Sequence, residues 1–224
     1  MCIISTHTGE SLMDVHQLRA KAKREEIDYL FLINELAGYR SPRNKIQALL
    51  RSKELIRVKK GLYIFGEKIR REVYSKEVLA NLIYGPSAIS LEYALSYYGF
   101  IPERVEVITS ITNNRNKRFY TPVGDFEYHY ISPKKYSIGI TQIELTSTKK
   151  FLIAVKEKAL ADVLMLRTEM LTTVTELHEH LIENLRIEGS SLKSLDYKIV
   201  STIANVYRNK NVFLLQRMLE IIYA

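Results

Sequence analysis

Cysteine, tryptophan and long apolar runs are the scarce features of this 224-residue chain. One thiol, Cys2, stands alone and tryptophan is absent. A single cysteine excludes any disulfide within the chain and suits a reducing compartment. The longest apolar runs, such as Tyr29 to Ile33, fall far short of the roughly 18 residues that a membrane span needs. The N-terminus lacks the basic-then-apolar order of a secretory signal, so the cytoplasm is the expected location and no membrane partner is expected. Chemistry-bearing motifs are scarce too. His178 and His180 are two residues apart, so on a helix they point in different directions and do not make the i, i+4 pair of a zinc site. His7, His16 and His129 are isolated, and isolated histidines are usually structural. No glycine-rich phosphate loop, nucleophile elbow or cysteine cluster occurs. Asp196, Tyr197 and Lys198 have the acid-to-lysine spacing of some nucleases, but no strand context supports it. An enzyme is therefore not expected, and neither is a cofactor or a metal.

What is present is an uneven distribution of charge. The net charge is +8, with 46% hydrophobic and 26% charged residues, close to the average of globular chains. Residues 40–76 hold 12 basic side chains against 3 acidic ones. The remainder of the chain is nearly balanced, so one segment of under forty residues carries the whole excess. A cluster of that kind is a footprint for a polyanion.

The spacing within the first seventy residues gives that footprint a shape. Leu12, Val15, Leu18 and Ala22 recur at helical spacing. Asp28 can cap a second helix in which Leu30, Phe31 and Ile33 lead to Leu36 and Ala37, with Gly38 as its stop. Ser41 and Pro42 signal the start of a third helix. In that helix Ile46, Leu49 and Leu50 share one face, and Arg43, Asn44, Gln47 and Arg51 share another. The second set consists of side chains able to read base edges, since arginine pairs bidentately with guanine and asparagine or glutamine with adenine. The stretch "LIRVKKGLYIF", residues 55–65, then alternates with period two on both sides of Lys59, Lys60 and Gly61, which predicts a hairpin with a three-residue loop and a basic tip.

Helix, helix, polar helix and basic hairpin, in that order, are the layout of a winged helix-turn-helix, whose third helix enters the major groove while its wing follows the phosphates. The candidate DNA-binding residues are Arg40, Arg43, Asn44, Lys45, Gln47, Arg51, Arg57, Lys59 and Lys60. RNA is an alternative polymer, because phosphate contacts do not distinguish the two.

Residues 71–224 read as a second, larger domain. Ser75 to Tyr84 predicts a helix with Val78, Leu79, Leu82 and Ile83 inward, and after Gly85 and Pro86 another begins near Ser87 or Ser90 and ends at Gly99. Strands follow at 105–112, 117–121, 126–131 and 139–145, with a short one at 150–155, and an antiparallel sheet is expected. Helices are expected at 158–166, 172–185, 190–207 and 210–222. The whole is thus α+β: a winged helix over residues 1–70 followed by an α+β domain with an antiparallel sheet and C-terminal helices. The link "NNRNKR", residues 113–118, sets Arg115, Lys117 and Arg118 between two strands, as a solvated loop or a second contact to nucleic acid or protein.

The basic helix and hairpin, followed by "GPSAISLEYALSYYGFIPE" at 85–103 and "VKEKALADVLML" at 155–166, resemble the AbiEi family of antitoxins, encoded beside nucleotidyltransferase-like toxins in bacterial abortive-infection systems. The matching order spans roughly residues 25–170. The family often has proline before the Glu-Lys pair, where this chain has Lys156. The resemblance implies an N-terminal domain that binds double-stranded operator DNA and represses its own operon, and a C-terminal domain that counteracts a nucleotidyltransferase-like toxin. Cooperative or dimeric binding to paired half-sites is compatible with a single wing, although no strong dimer seam is legible. The alternative reading is a transcription regulator whose larger domain senses a ligand or oligomerises, with no toxin partner.

Overall fold

The computed structural model describes residues 13–223. The chain divides into two compact units between Tyr74 and Ser75.

The N-terminal unit begins with α1 (Val15–Lys21), started by a capping box in which the Asp14 carboxylate accepts from the Gln17 N–H and the Gln17 side chain accepts from the Asp14 N–H. Leu12, expected on this helix, lies outside the described residues. A short strand, β1 (Glu26–Asp28), precedes α2 (Tyr29–Glu35), whose N-cap Asp28 accepts from the Phe31 N–H at 2.7 Å. α3 (Pro42–Arg51) starts at its proline. Ser41 occupies the N-cap position but its hydroxyl makes no capping bond. β2 (Leu55–Lys59) and β3 (Leu62–Phe65) form the expected hairpin, and the sheet order is β1-β3-β2, antiparallel throughout.

The apolar residues expected on α2 divide between core and surface: Leu30 is 70% exposed, whereas Leu32 and Leu36 fill the core. The register is offset because Asp28 begins the helix and Leu32 and Leu36, four apart, share the face turned to Leu18, Ile46, Leu49 and Phe65. The hairpin loop has two residues, Lys60 and Gly61, rather than three. A bulge between Arg57 and Lys59 takes up the extra residue and interrupts the period-two burial of β2. β3, the central strand, is buried at all four positions.

A buried ion pair closes the unit. Glu25 Oε1 accepts from Arg19 Nε at 3.1 Å and from the main-chain N–H groups of Arg71 and Glu72, so it ties the segment that follows the sheet back to the end of α1. The Arg19 guanidinium also lies 5.3 Å from the centre of the Phe65 ring.

In the C-terminal unit, α4 (Lys76–Ile83) is capped by the Ser75 hydroxyl and buries Val78, Leu79, Ala80 and Ile83, with Ala80 rather than Leu82 inward. The stretch expected to begin a helix at Ser87 is instead a strand, β4 (Ser87–Ile89), and α5 (Leu91–Tyr97) follows with Ser90 at its N-cap. Leu91 is held at φ +60, an uncommon conformation for a branched side chain. Then come β5 (Ile108–Thr112), β6 (Lys117–Thr121), β7 (Gly124–Tyr130), α6 (Pro133–Tyr136), β8 (Ile140–Thr146) and β9 (Lys149–Ala154).

These six strands form one sheet in the order β6-β7-β5-β4-β9-β8. It is mixed, not antiparallel: β5 runs parallel to β7, and β4 parallel to β9. The β6–β7 hairpin lies outside β5, so β7 returns in the direction of β5. That arrangement depends on strand order, which alternation of side chains does not encode.

The remaining helices are α7 (Lys156–Leu166), α8 (Val174–Glu179) continued by a π-helical turn over His180–Asn184, α9 (Gly189–Leu192), α10 (Tyr197–Tyr207) and α11 (Lys210–Tyr223). The expected helix at 190–207 is two helices, divided where Asp196 accepts from the N–H groups of Lys198 and Ile199. That capping role accounts for the acid in Asp196-Tyr197-Lys198. Among the described residues no helix is long and apolar enough to cross a membrane.

Candidate nucleic-acid interface

Amphipathicity turns α3 outward in a defined way. Ile46 and Leu49 enter the core, which leaves Arg43, Asn44, Gln47 and Arg51 exposed along the opposite side. Arg43 and Arg51 are eight residues apart, about 12 Å along the axis at 1.5 Å per residue. No acid occurs in the helix or in residues 55–65.

One tyrosine connects this helix to the hairpin. The Tyr29 hydroxyl accepts from Arg43 Nε at 3.2 Å, and the Tyr29 N–H donates to the Gly61 carbonyl at 3.0 Å. The first turn of α3, the start of α2 and the turn between β2 and β3 are therefore one connected surface. Asp28, the acid at the start of α2, has its carboxylate engaged as the helix cap.

The remaining expected residues differ in presentation. Arg57 and Lys60 are exposed on the hairpin and Arg40 is exposed ahead of α3, whereas Lys59 is half-buried. Lys45 is half-buried too, its ammonium 5.1 Å from the centre of the Tyr39 ring, so it offers less reach than its four polar neighbours on the helix. Lys53, which periodicity did not single out, is exposed just beyond α3 at φ +59. Its place is set from behind: Gly66 passes so close that a Cβ there would stand 1.9 Å from the Lys53 carbonyl oxygen, and the Gly66 N–H donates to the Glu54 carbonyl at 2.8 Å.

In the C-terminal unit the polar groups are arranged differently. Lys158, four residues before Asp162 on α7, is completely buried with it at 3.6 Å. Asp162 accepts from the hydroxyls of Ser90 and Tyr207, while Lys158 donates to the Tyr207 oxygen and, at 2.9 Å, to the Lys135 carbonyl. Burial pushes the Asp162 carboxyl up and the Lys158 ammonium down, each opposed by the other. Every polar atom of the pair faces a partner from another element, so the network fastens α5, α7 and α10 to one another.

A second group lies at the surface. The Arg167 guanidinium reaches Glu92 and Glu127 at 3.3 Å and His129 Nε2 at 3.0 Å. Burial, and then the Arg167 charge, hold the His129 imidazole below its ordinary 6.5, against the pull of Glu127 and Glu92. His180 sits in a structural role, bonded to Thr168 and Asn184. Among the described residues no group of three or more histidine, cysteine or acidic side chains could hold a metal ion. In comparison with known proteins no family model matches the chain, and no curated protein does.

Proposed function

We propose that the N-terminal unit is a winged helix-turn-helix that binds duplex operator DNA, with α3 in the major groove and the β2–β3 hairpin along the phosphate backbone. The observation that carries this reading is the continuity of α3 and the hairpin tip through Tyr29. It sets base-reading side chains beside cations on two elements that hold no acid, α3 and the hairpin. The element order α1-β1-α2-α3-β2-β3, with β3 between its two neighbours, supports it further. On the resemblance to AbiEi antitoxins, the protein is a cytoplasmic autorepressor that counteracts a nucleotidyltransferase-like toxin through its larger unit. It is not an enzyme on this reading.

The test is a titration of labelled DNA from upstream of the reading frame at a series of salt concentrations. Replacing Arg57, Lys59 and Lys60 by alanine together flattens the slope of log affinity against log salt by up to about 2.7, at roughly 0.9 per phosphate contact. An unchanged slope removes the hairpin from the interface.

A second reading has its own observation. A cavity of about 670 Å³ is lined by Val174, His178, Leu192, Met218 and Ile221 among others, along α8, α9 and α11. A pocket of this size and character suits a small apolar ligand and favours a ligand-sensing regulator with no toxin partner. A nucleotidyltransferase gene adjoining the reading frame decides for the antitoxin.

A further inference from the structure

The loop from Asn113 to Asn116 joins β5 to β6 at the edge of the six-stranded sheet, and it is built rather than slack. The Thr112 hydroxyl accepts from the Asn114 N–H at 3.1 Å and donates to the Pro86 carbonyl at 2.7 Å. The Asn114 amide donates to the Gly85 carbonyl at 3.1 Å, and the Asn116 side-chain oxygen accepts from the Tyr130 N–H at 2.6 Å. These bonds fix the backbone and present a shallow cavity of about 610 Å³ lined by Asn113, Asn114, Arg115, Asn116 and Tyr130.

The contents of that cavity are selective. Tyr130 ends β7 with its side chain 50% exposed. A half-exposed ring on a rigid strand offers a flat apolar face at small entropic cost. Arg115 is exposed, and residues 113–118 contain three cations and no acid. The nearest acids along β7, Asp125 and Glu127, are engaged by Arg118. Lys117 stands over the Tyr84 and Phe119 rings beside the loop. A ring for stacking, amides for the edge of a base and a cation for phosphate are the groups that recognise an unpaired nucleotide. A duplex, whose bases are already stacked on one another, has no face to give to Tyr130.

We propose that this loop is a binding site for single-stranded nucleic acid, separate from the duplex-binding surface of the N-terminal unit. Tyr130 stacks on an unpaired base, Arg115 holds the adjoining phosphate, and Asn113 pairs with the base edge. The site does not depend on the reading of α3 and the hairpin, because it stands in the other unit.

The absence of tryptophan makes the experiment direct. Tyr130→Trp keeps a stacking ring and introduces the chain's sole tryptophan, whose fluorescence reports the site alone. The full-length variant is titrated at low salt with twelve-nucleotide oligoadenylate as DNA and as RNA, and with a twelve-base-pair duplex. Quenching by either single strand, with Arg115→Ala in the same background weakening it about tenfold, supports the site, and the stronger strand names the polymer. Alanine at Arg57, Lys59 and Lys60 leaves that quenching in place. A thermal unfolding midpoint unchanged by Arg115→Ala assigns the loss to binding. No quenching by either strand, equal quenching by the duplex, or indifference to Arg115→Ala overturns the proposal. Failure of the hairpin variants to alter duplex affinity bears on the N-terminal reading only.

Discussion

On the proposed reading Arg43 exchanges one partner for another. In the free protein it donates to Tyr29 at 3.2 Å, a bond short enough to hold the guanidinium at the mouth of the surface and exposed enough to be exchanged for a base edge. Gln47 follows one turn later and is exposed. Changing either to alanine is expected to cost about 1–3 kcal/mol on the operator if a bidentate base contact is lost, while random DNA binds almost as before. Competition titrations measure that difference, and equal losses on both DNAs argue against base reading. At His129 the expectation concerns protons. Its imidazole sits below 6.5 through burial and then the Arg167 charge, so between its folded midpoint and 6.5 the unfolded chain binds more protons than the folded one. Stability therefore falls as pH drops through 6.5 and levels off below the folded midpoint. NMR titration of the ring gives a midpoint under 6.5, and His129→Gln loses less stability than the parent between pH 8 and pH 5.

At the scale of elements, the hairpin is anchored by glycines of two different kinds. Gly61 has a φ of +89 with open space around its missing Cβ, so Gly61→Ala is expected to cost only the left-handed penalty of about 1–2 kcal/mol. Gly66 is closed by the Lys53 backbone at 1.9 Å, which a side chain cannot displace by rotating. Gly66→Ala is expected to cost roughly 3 kcal/mol or more, and urea unfolding of the two variants separates the mechanisms. The sequence made α3 legible through Pro42 and its split polar and apolar faces, and the hairpin through Gly61 and its flanking alternation. β1 and β4 were not legible, because three residues are too few to display a period. Which residues of α2 turn inward was not legible, because the apolar run 30–33 is continuous and only Asp28 sets the register. Lys158 and Asp162 carry the spacing of an ordinary surface ion pair. The apolar residues on every side, Ala159 to Leu164, were the available sign that the pair is buried. For the candidate interface, residue types and order were readable, but the link through Tyr29 depends on contacts between residues 14 and 32 positions apart.

At the scale of the molecule, the proposed antitoxin reading assigns neutralisation of the toxin to the larger unit. On that reading, residues 75–224, expressed as a fragment with a cooperative unfolding transition, are expected to restore growth to cells producing a nucleotidyltransferase-like toxin. Failure by a folded fragment counts against a separate antitoxin unit. The covered strand β3 and the Tyr29 bridge also bear on the whole complex. With both edges of that strand paired and its turn bonded to the neighbouring helix, the gap between α3 and the ribbon has little give. Under the proposed docking, the double helix must then adapt to the protein. Operators are expected to differ in strength at base pairs that no side chain touches, according to how readily their steps bend or narrow.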